Sequence, residues 1–346
     1  MTQPDLGAIE TEAQLTDALT APYPEDVEFA KRLDGDVMIL GAAGKMGPSL
    51  AGRILRASDR ADVDRTVYAV SRFSDSETRE VLDSHGAETI AADLLSEESL
   101  AALPDCKNVI YMVGTKFGTG GREPQTWAIN AYLPGDIARR FENSRIVAFS
   151  TGNVYPPVLV ESGGPTEDDE TGPVGEYAQS CLGRERVFQY FSEENDTPVC
   201  LFRLNYAVEA RYGVLTDIAK WVRDGDPVPL DMGYVNVVWQ GDANSVCFRS
   251  LEFADSPAKP LNVTGPEILS VRDIAERFAD RFDTDVRFDG EEHETALLSD
   301  ASRCHERYGE PKVSVDEVVD LVASWVEADR PMMDKPTKFH VRSGEF

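Results

Sequence analysis

The stretch Asp36-Val37-Met38-Ile39-Leu40-Gly41-Ala42-Ala43-Gly44-Lys45-Met46-Gly47 decides how the rest of the chain is read. Its apolar run predicts a short strand over 36–40, and the periodicity of 47–57 predicts a helix directly after it. Between them glycines fall at 41, 44 and 47, spaced G-x-x-G-x-x-G. Glycines there allow a tight turn and close approach of the backbone to a pyrophosphate, and the helix N-terminus offers unpaired N–H groups to the anion. The stretch therefore predicts a dinucleotide site formed by Gly41, Ala43, Gly44, Lys45, Met46 and Gly47.

Outward from this turn, strand and helix alternate. Strands are expected at 66–70, 89–91, 109–113 and 146–150, with helices at 78–85 and 125–143. Alternation of this kind implies an α/β, Rossmann-type doubly wound parallel sheet. Strands at 199–204 and 261–263 extend it, and helices at 213–223, 271–282 and 313–326 belong to a small C-terminal substrate-binding lobe. The chain divides into a lead-in (1–35), a dinucleotide-binding domain (36–205), a mixed lobe with sheet-completing segments (206–330) and an irregular tail (331–346). The lead-in carries a helix within 14–33, broken by Pro22 and Pro24.

The 346 residues include 62 acidic against 34 basic ones, a formal net charge of −28. Such a field repels nucleic acid and anionic membranes and suits a halophilic, salt-adapted protein. With no apolar run long enough to span a membrane and a polar N-terminus, a cytoplasmic location is expected. Cys106, Cys181, Cys200, Cys247 and Cys304 are scattered without metal-ligand spacing, so free thiols and no metal site are expected.

The end of the second strand selects the cofactor, because an acid there receives the adenosine ribose hydroxyls while a base tolerates a 2′-phosphate. Here it reads Ser71-Arg72, with no acid before Asp75, and Lys45 could add a second positive charge. NADP is favoured over NAD. Asp93 and Leu94 would lie beside the adenine, and Val113 and Gly114 would follow the fourth strand along the cofactor.

Strand 146–150 runs into Ser150-Thr151-Gly152-Asn153-Val154-Tyr155, and about 25 residues later comes Gly175-Glu176-Tyr177-Ala178-Gln179-Ser180-Cys181-Leu182-Gly183-Arg184-Glu185. With the glycine turn, Asn130 and Arg203-Leu204-Asn205-Tyr206, these segments resemble the signatures of the extended short-chain dehydrogenases/reductases of the NAD-dependent epimerase/dehydratase type, over about 36–326. The resemblance implies an oxidoreductase, epimerase or dehydratase acting at a carbinol or carbonyl carbon of a carbohydrate. Thr151 would polarise the substrate oxygen and Tyr177 would exchange its proton. Asn130 would belong to the catalytic set, and a homodimer would form through the helices carrying Asn130 and Tyr177.

Cys181 stands where that family carries a lysine, which supplies charge and hydrogen bonds to the nicotinamide ribose. A thiol supplies neither. Lys116 or Arg122, in the glycine-rich loop 114–121, could replace the charge, with Arg184 a poorer candidate. Alternatively neutral Tyr177 works as an acid, Cys181 acts as a nucleophile, or the chain is a non-catalytic dinucleotide-binding regulator. The family mostly handles nucleotide sugars through arginines of the substrate lobe, whereas 224–248 holds no lysine or arginine. Arg203 and Arg211 remain available, and a smaller sugar or sugar acid is as good a substrate expectation as a nucleotide sugar.

Overall fold

A computed structural model describes residues 5–74, 76–116, 121–333 and 335–345. Asp75 and residues 117–120 of the glycine-rich loop therefore lie outside the described residues.

Seven strands form the central sheet: β1 (Val37–Leu40), β2 (Val67–Ser71), β3 (Glu88–Ala91), β4 (Asn108–Tyr111), β5 (Arg145–Thr151), β6 (Val199–Leu204) and β7 (Lys259–Val263). Their order is β7-β6-β5-β4-β1-β2-β3, and every pairing is parallel. Strand order reverses between β1 and β4. In a doubly wound sheet ligands bind outside the carboxyl ends of the strands at such a reversal. The glycine turn leaves β1 there, and Gly41 N and Ala42 N both donate to Val70 O of β2.

The expected helix over 125–143 is three pieces: Glu123–Trp127, a π-helical turn Ala128–Tyr132 and Leu133–Arg140. Asn130 sits in the π turn, a geometry that concentrates at functional sites. Tyr177 and Cys181 lie on the long helix Gly175–Asn195, which packs against this segment.

The lead-in forms two helices, Glu12–Thr20 and Pro24–Arg32, with the break at the prolines as expected. It bridges both halves of the protein. Phe29, Ala30 and Leu33 join the core under the sheet, while Leu15 and Leu19 join the second core formed by Val214–Asp224, Val271–Phe282 and Val315–Glu327. Arg53, in the helix after the glycine turn, pairs with Asp26 at 2.8 Å, and both side chains are fully buried. The tail is irregular but packed: Phe339 is buried, Thr337 donates to Asp217, and Arg342 donates to Asp231 O and Thr295 O. No helix among the described residues is long and apolar enough to cross a membrane.

Candidate active site

Glycine is required at two points of the turn. A Cβ on Gly41, whose φ is +88°, would lie 3.0 Å from the backbone of Met112 and Val113, and one on Gly47 would lie 2.1 Å from Ala42 O. The first lets β1 and β4 diverge closely, and the second seats the helix Gly47–Arg60 against the turn.

Two cavities open on either side of this turn and share Gly41, Gly44 and Met112. One, of about 550 Å³, is lined by Gly41, Ala43, Gly44, Ser71, Arg72, Asp93, Leu94, Val113 and Gly114, nine of the twelve residues expected to hold the cofactor. The ends of four adjacent strands meet there, with a bare backbone at the glycines. This donor set fits a dinucleotide. The second cavity, of about 270 Å³, contains Thr151, Tyr177, Lys116, Lys45 and Met46.

Lys45 corrects the sequence reading. It does not accompany Arg72 at the ribose end: its Nζ donates to Ala207 O at 2.9 Å and lies 4.3 Å over the Tyr212 ring, on the second lobe. The carbonyl of Ala207 and the ring face of Tyr212 draw the ammonium away from the adenosine cavity. Met46 likewise faces the second cavity, and Gly47 lines neither, serving helix packing instead.

The expected proton-handling groups converge. Tyr177, Thr151 and Cys181 lie close enough to act on one another, and burial, followed by the proximity of Cys181, holds the Tyr177 pKa well above the ordinary tyrosine value. Ser150, beside Thr151, donates to Glu185 at 2.5 Å and is kept out of this exchange. Cys181 is 1% exposed, lines neither cavity, and burial raises its thiol pKa. A buried protonated thiol is a poor nucleophile, which removes that reading of Cys181.

One helical turn beyond Cys181 stands a cation. Arg184, ranked low from sequence, is the cation opposing the upward shift of Tyr177 and the first opposing that of Cys181. Its guanidinium donates to Phe149 O at 2.7 Å, Asn130 Oδ1 at 3.0 Å and Asn130 O at 3.3 Å. Asn130 is itself buried. Its amide donates to Thr115 O and Ser180 Oγ, and its oxygen also receives Thr115 N. Asn130 thus lines neither cavity and ties Arg184 to the start of the loop after β4. Lys116 lies in the second cavity with its Nζ 5.9 Å from the Tyr177 ring centre, whereas Arg122 lines the cofactor cavity and is no substitute.

The two arginines expected to remain available for substrate are committed elsewhere. Arg203 is buried in a bidentate pair with Glu185 (2.9 and 2.7 Å) and also donates to Tyr155. Arg211 pairs with Glu209 and Glu12. Buried guanidinium groups need full pairing, and carboxylates of this chain supply it.

Sequence reasoning missed Asn153, Asn205, Tyr206, Tyr212 and Thr337, all in the second cavity. Tyr206 has a φ of +45°, a rare conformation for a bulky residue and one that gathers at functional sites. The one available signal was its place within the segment starting at Arg203.

A parallel sheet with a glycine turn at its switch point, beside a tyrosine and a threonine, defines a dinucleotide-dependent enzyme of the Rossmann type. The chain belongs to the NAD dependent epimerase/dehydratase family, whose sequence profile matches residues 37–221. No curated protein matches the sequence. Among solved structures it is similar to UDP-glucuronic acid 4-epimerase from Bacillus cereus in complex with UDP-glucuronic acid and NAD, at 16% identity over 85% of this chain and 99% of that one (TM-score 0.71). It also resembles dTDP-glucose 4,6-dehydratase from Bacillus anthracis with NAD, at 13% identity over 86% of this chain and 97% of that one (TM-score 0.72). A third is the epimerase from Methanothermobacter thermautotrophicus, at 16% identity over 89% and 97% (TM-score 0.72).

Proposed function

We propose that the protein oxidises, reduces or epimerises a carbinol or carbonyl carbon of a carbohydrate, with NAD or NADP held in the larger cavity and the substrate in the smaller. The observation that carries this reading is the meeting of Thr151 and Tyr177 in a cavity that shares the glycine turn with the dinucleotide cavity. Asn153, Asn205, Tyr206 and Tyr212 give that cavity amide, hydroxyl and aromatic surfaces suited to sugar hydroxyls and ring faces. The sugar substrates of the similar solved enzymes agree with this choice.

Gly41, Ala43, Gly44, Ser71, Arg72, Asp93, Leu94, Val113 and Gly114 would hold the dinucleotide, whose nicotinamide supplies or accepts a hydride when bound. Tyr177, kept protonated by burial, gives its proton to the substrate oxygen in the reducing direction. Thr151, whose hydroxyl donates to Asn153 Oδ1 at 3.1 Å, would turn that proton to the same oxygen. Arg184 partly offsets the burial of Tyr177 and eases return of the proton in the oxidising direction. Arg72 and Ser71 at the end of β2 support acceptance of a 2′-phosphate, with one positive charge there rather than two. The outward Tyr132 and Tyr190, on the two adjoining helix segments, suit the expected homodimer, and the acidic composition suits a cytosol rich in salt.

The test is absorbance of the reduced cofactor, together with chromatography of the sugar for an epimerised product, with a panel of neutral sugars, sugar acids and sugar phosphates. Turnover is expected on at least one, and Tyr177→Phe should lower it about 10²–10⁴-fold while cofactor affinity holds. Tight cofactor binding with no turnover on any sugar would instead identify a regulator.

A further inference from the structure

The smaller cavity has two lysines among its described lining, Lys45 and Lys116, and not one carboxylate. The chain as a whole has 62 acids against 34 Lys and Arg, so a lining drawn at random would hold acids before bases. The charged residues of this lining are thus opposite in sign to the net charge of the chain.

Lys45 reaches across from the glycine turn to Ala207 O and the Tyr212 ring face. An ammonium has three donors, and a carbonyl and a ring do not neutralise its charge. The acid that acts on it, Glu209, also receives Arg211 N at 2.9 Å and Arg211 Nε at 3.2 Å and is shared between the two cations. Lys116 Nζ donates to Thr337 O at 3.3 Å. Burial pushes Lys45 down to about 7 and Lys116 to about 8, with Glu209 and Asp217 respectively opposing the shift.

We propose that this cavity recognises a small carbohydrate bearing a carboxylate or phosphate, Lys45 holding the anionic group and Lys116 adding to the attracting field. This rests on the function proposed above and narrows its substrate class. The anion belongs to the substrate rather than the cofactor because the Lys45 ammonium is seated on Ala207 and Tyr212 of the second lobe, away from the cavity containing Arg72 and Asp93. The substrate is small because the cavity of about 270 Å³ must also admit the nicotinamide, whereas sites for larger ligands run to roughly 300–1,000 Å³. Arg203 and Arg211, which could have met a nucleoside diphosphate, are bound to Glu185 and Glu209.

Calorimetric titration of the full chain with D-glucuronate, D-glucose 6-phosphate, D-glucose and UDP-glucose, each with saturating NAD, tests the proposal. At least one small anionic sugar is expected to bind on the order of ten- to a hundredfold more tightly than D-glucose. Lys45→Met should erase that gap and Lys45→Arg should keep part of it, while NAD affinity measured alone changes by less than about twofold. Lys45→Gln serves as the neutral variant if the methionine protein does not fold. Equal binding of D-glucose and both anions overturns the proposal, as does tighter binding of UDP-glucose than of either small anion. So does a loss of NAD affinity in Lys45→Met as large as the loss for the sugar. Lys45-dependent anion binding without turnover of any sugar would sink the proposed enzyme activity but not this inference; turnover of neutral sugars without anion preference would do the reverse.

Discussion

The two cavities beside the glycine turn are made of different material. The larger takes most of its lining from successive strand ends, around 41–44, 71–74, 92–95 and 112–115, which topology brings together, with the helical segment 122–133 and Lys335 completing it. The smaller draws on Lys45, Lys116, Thr151, Tyr177, the segment 204–207, Tyr212–Val214 and Thr337, pieces from almost the whole length of the chain. The first cavity follows from the fold, whereas the second depends on individual side chains that could change without altering the fold. Binding of the dinucleotide and choice of substrate should therefore fail separately.

The largest effect is expected at Gly47. Its Cβ would meet Ala42 O at 2.1 Å, so Gly47→Ala must displace backbone and should cost about 3 kcal/mol, at the upper end for overpacking. Denaturant midpoints would show the loss, and NAD titration should show weaker binding. Wild-type stability with intact NAD affinity would remove the claim that the turn's packing builds the larger cavity.

Arg184→Met comes next, because it strips the charge facing Tyr177 and leaves Asn130 Oδ1 and Phe149 O without that donor. A fall in kcat of about ten- to a hundredfold is expected, from the loss of hydrogen bonds made by a charged group. Arg122→Ala, on the other cavity, should leave kcat alone, and Cys181→Ala should cost far less than Arg184→Met. Similar kcat losses in all three variants would blur the boundary between the cavities.

A smaller change is expected at Arg72. Arg72→Ala should shift the ratio of NADP to NAD affinity about tenfold toward NAD, the scale of one charge-assisted hydrogen bond, without touching the preference among sugars. Equilibrium titration of both cofactors measures it, and an unchanged ratio would dismiss Arg72 as a selector.

The smallest is a pH effect on the protein without ligand. Lys45 and Lys116 fall below the ordinary lysine value of 10.5, so from about pH 7 upward the folded chain binds fewer protons than the unfolded one. Stability contributed by these groups is then lowest below pH 7 and rises with pH through that window. Around Lys45 stand Glu209, Arg211, Tyr206 and Tyr212, and around Lys116 stand Cys181, Asp217, Lys338 and Tyr177. Unfolding at pH 6.5 and 8.5 should show a smaller rise in Lys45→Met than in the wild type; an equal rise would mean that Lys45 is not the titrating group.

The sheet was legible because its central strands are compact apolar runs punctuated by turn residues, and β6 was bounded correctly at both ends. The cofactor cavity was legible for the same reason. Lys45 was misplaced because the direction of a side chain leaving a turn depends on what the distant segment 207–212 offers it. Arg184 had a readable signal: at four and seven residues, 181 and 184 repeat on the helix face of Tyr177. The pairing of Arg203 with Glu185 joins a strand to a helix and leaves no local trace, whereas that of Arg211 with Glu209 is two residues apart. The helix Gln240–Arg249 was unseen because Asp242, Asn244 and Ser245 look like surface, yet they are buried and spend their polarity on neighbours such as Ser49, Asp26 and the Val313 amide.

All five cysteines are buried, and wherever the thiol pKa is displaced, burial is what lifts it. The residue that replaced the helix lysine thus joined Val154 and Tyr155 in an apolar patch behind the tyrosine. Burial shields these thiols from alkylating agents and mild oxidants, and the smaller cavity offers a covalent inhibitor amines of lowered pKa but no thiol to trap.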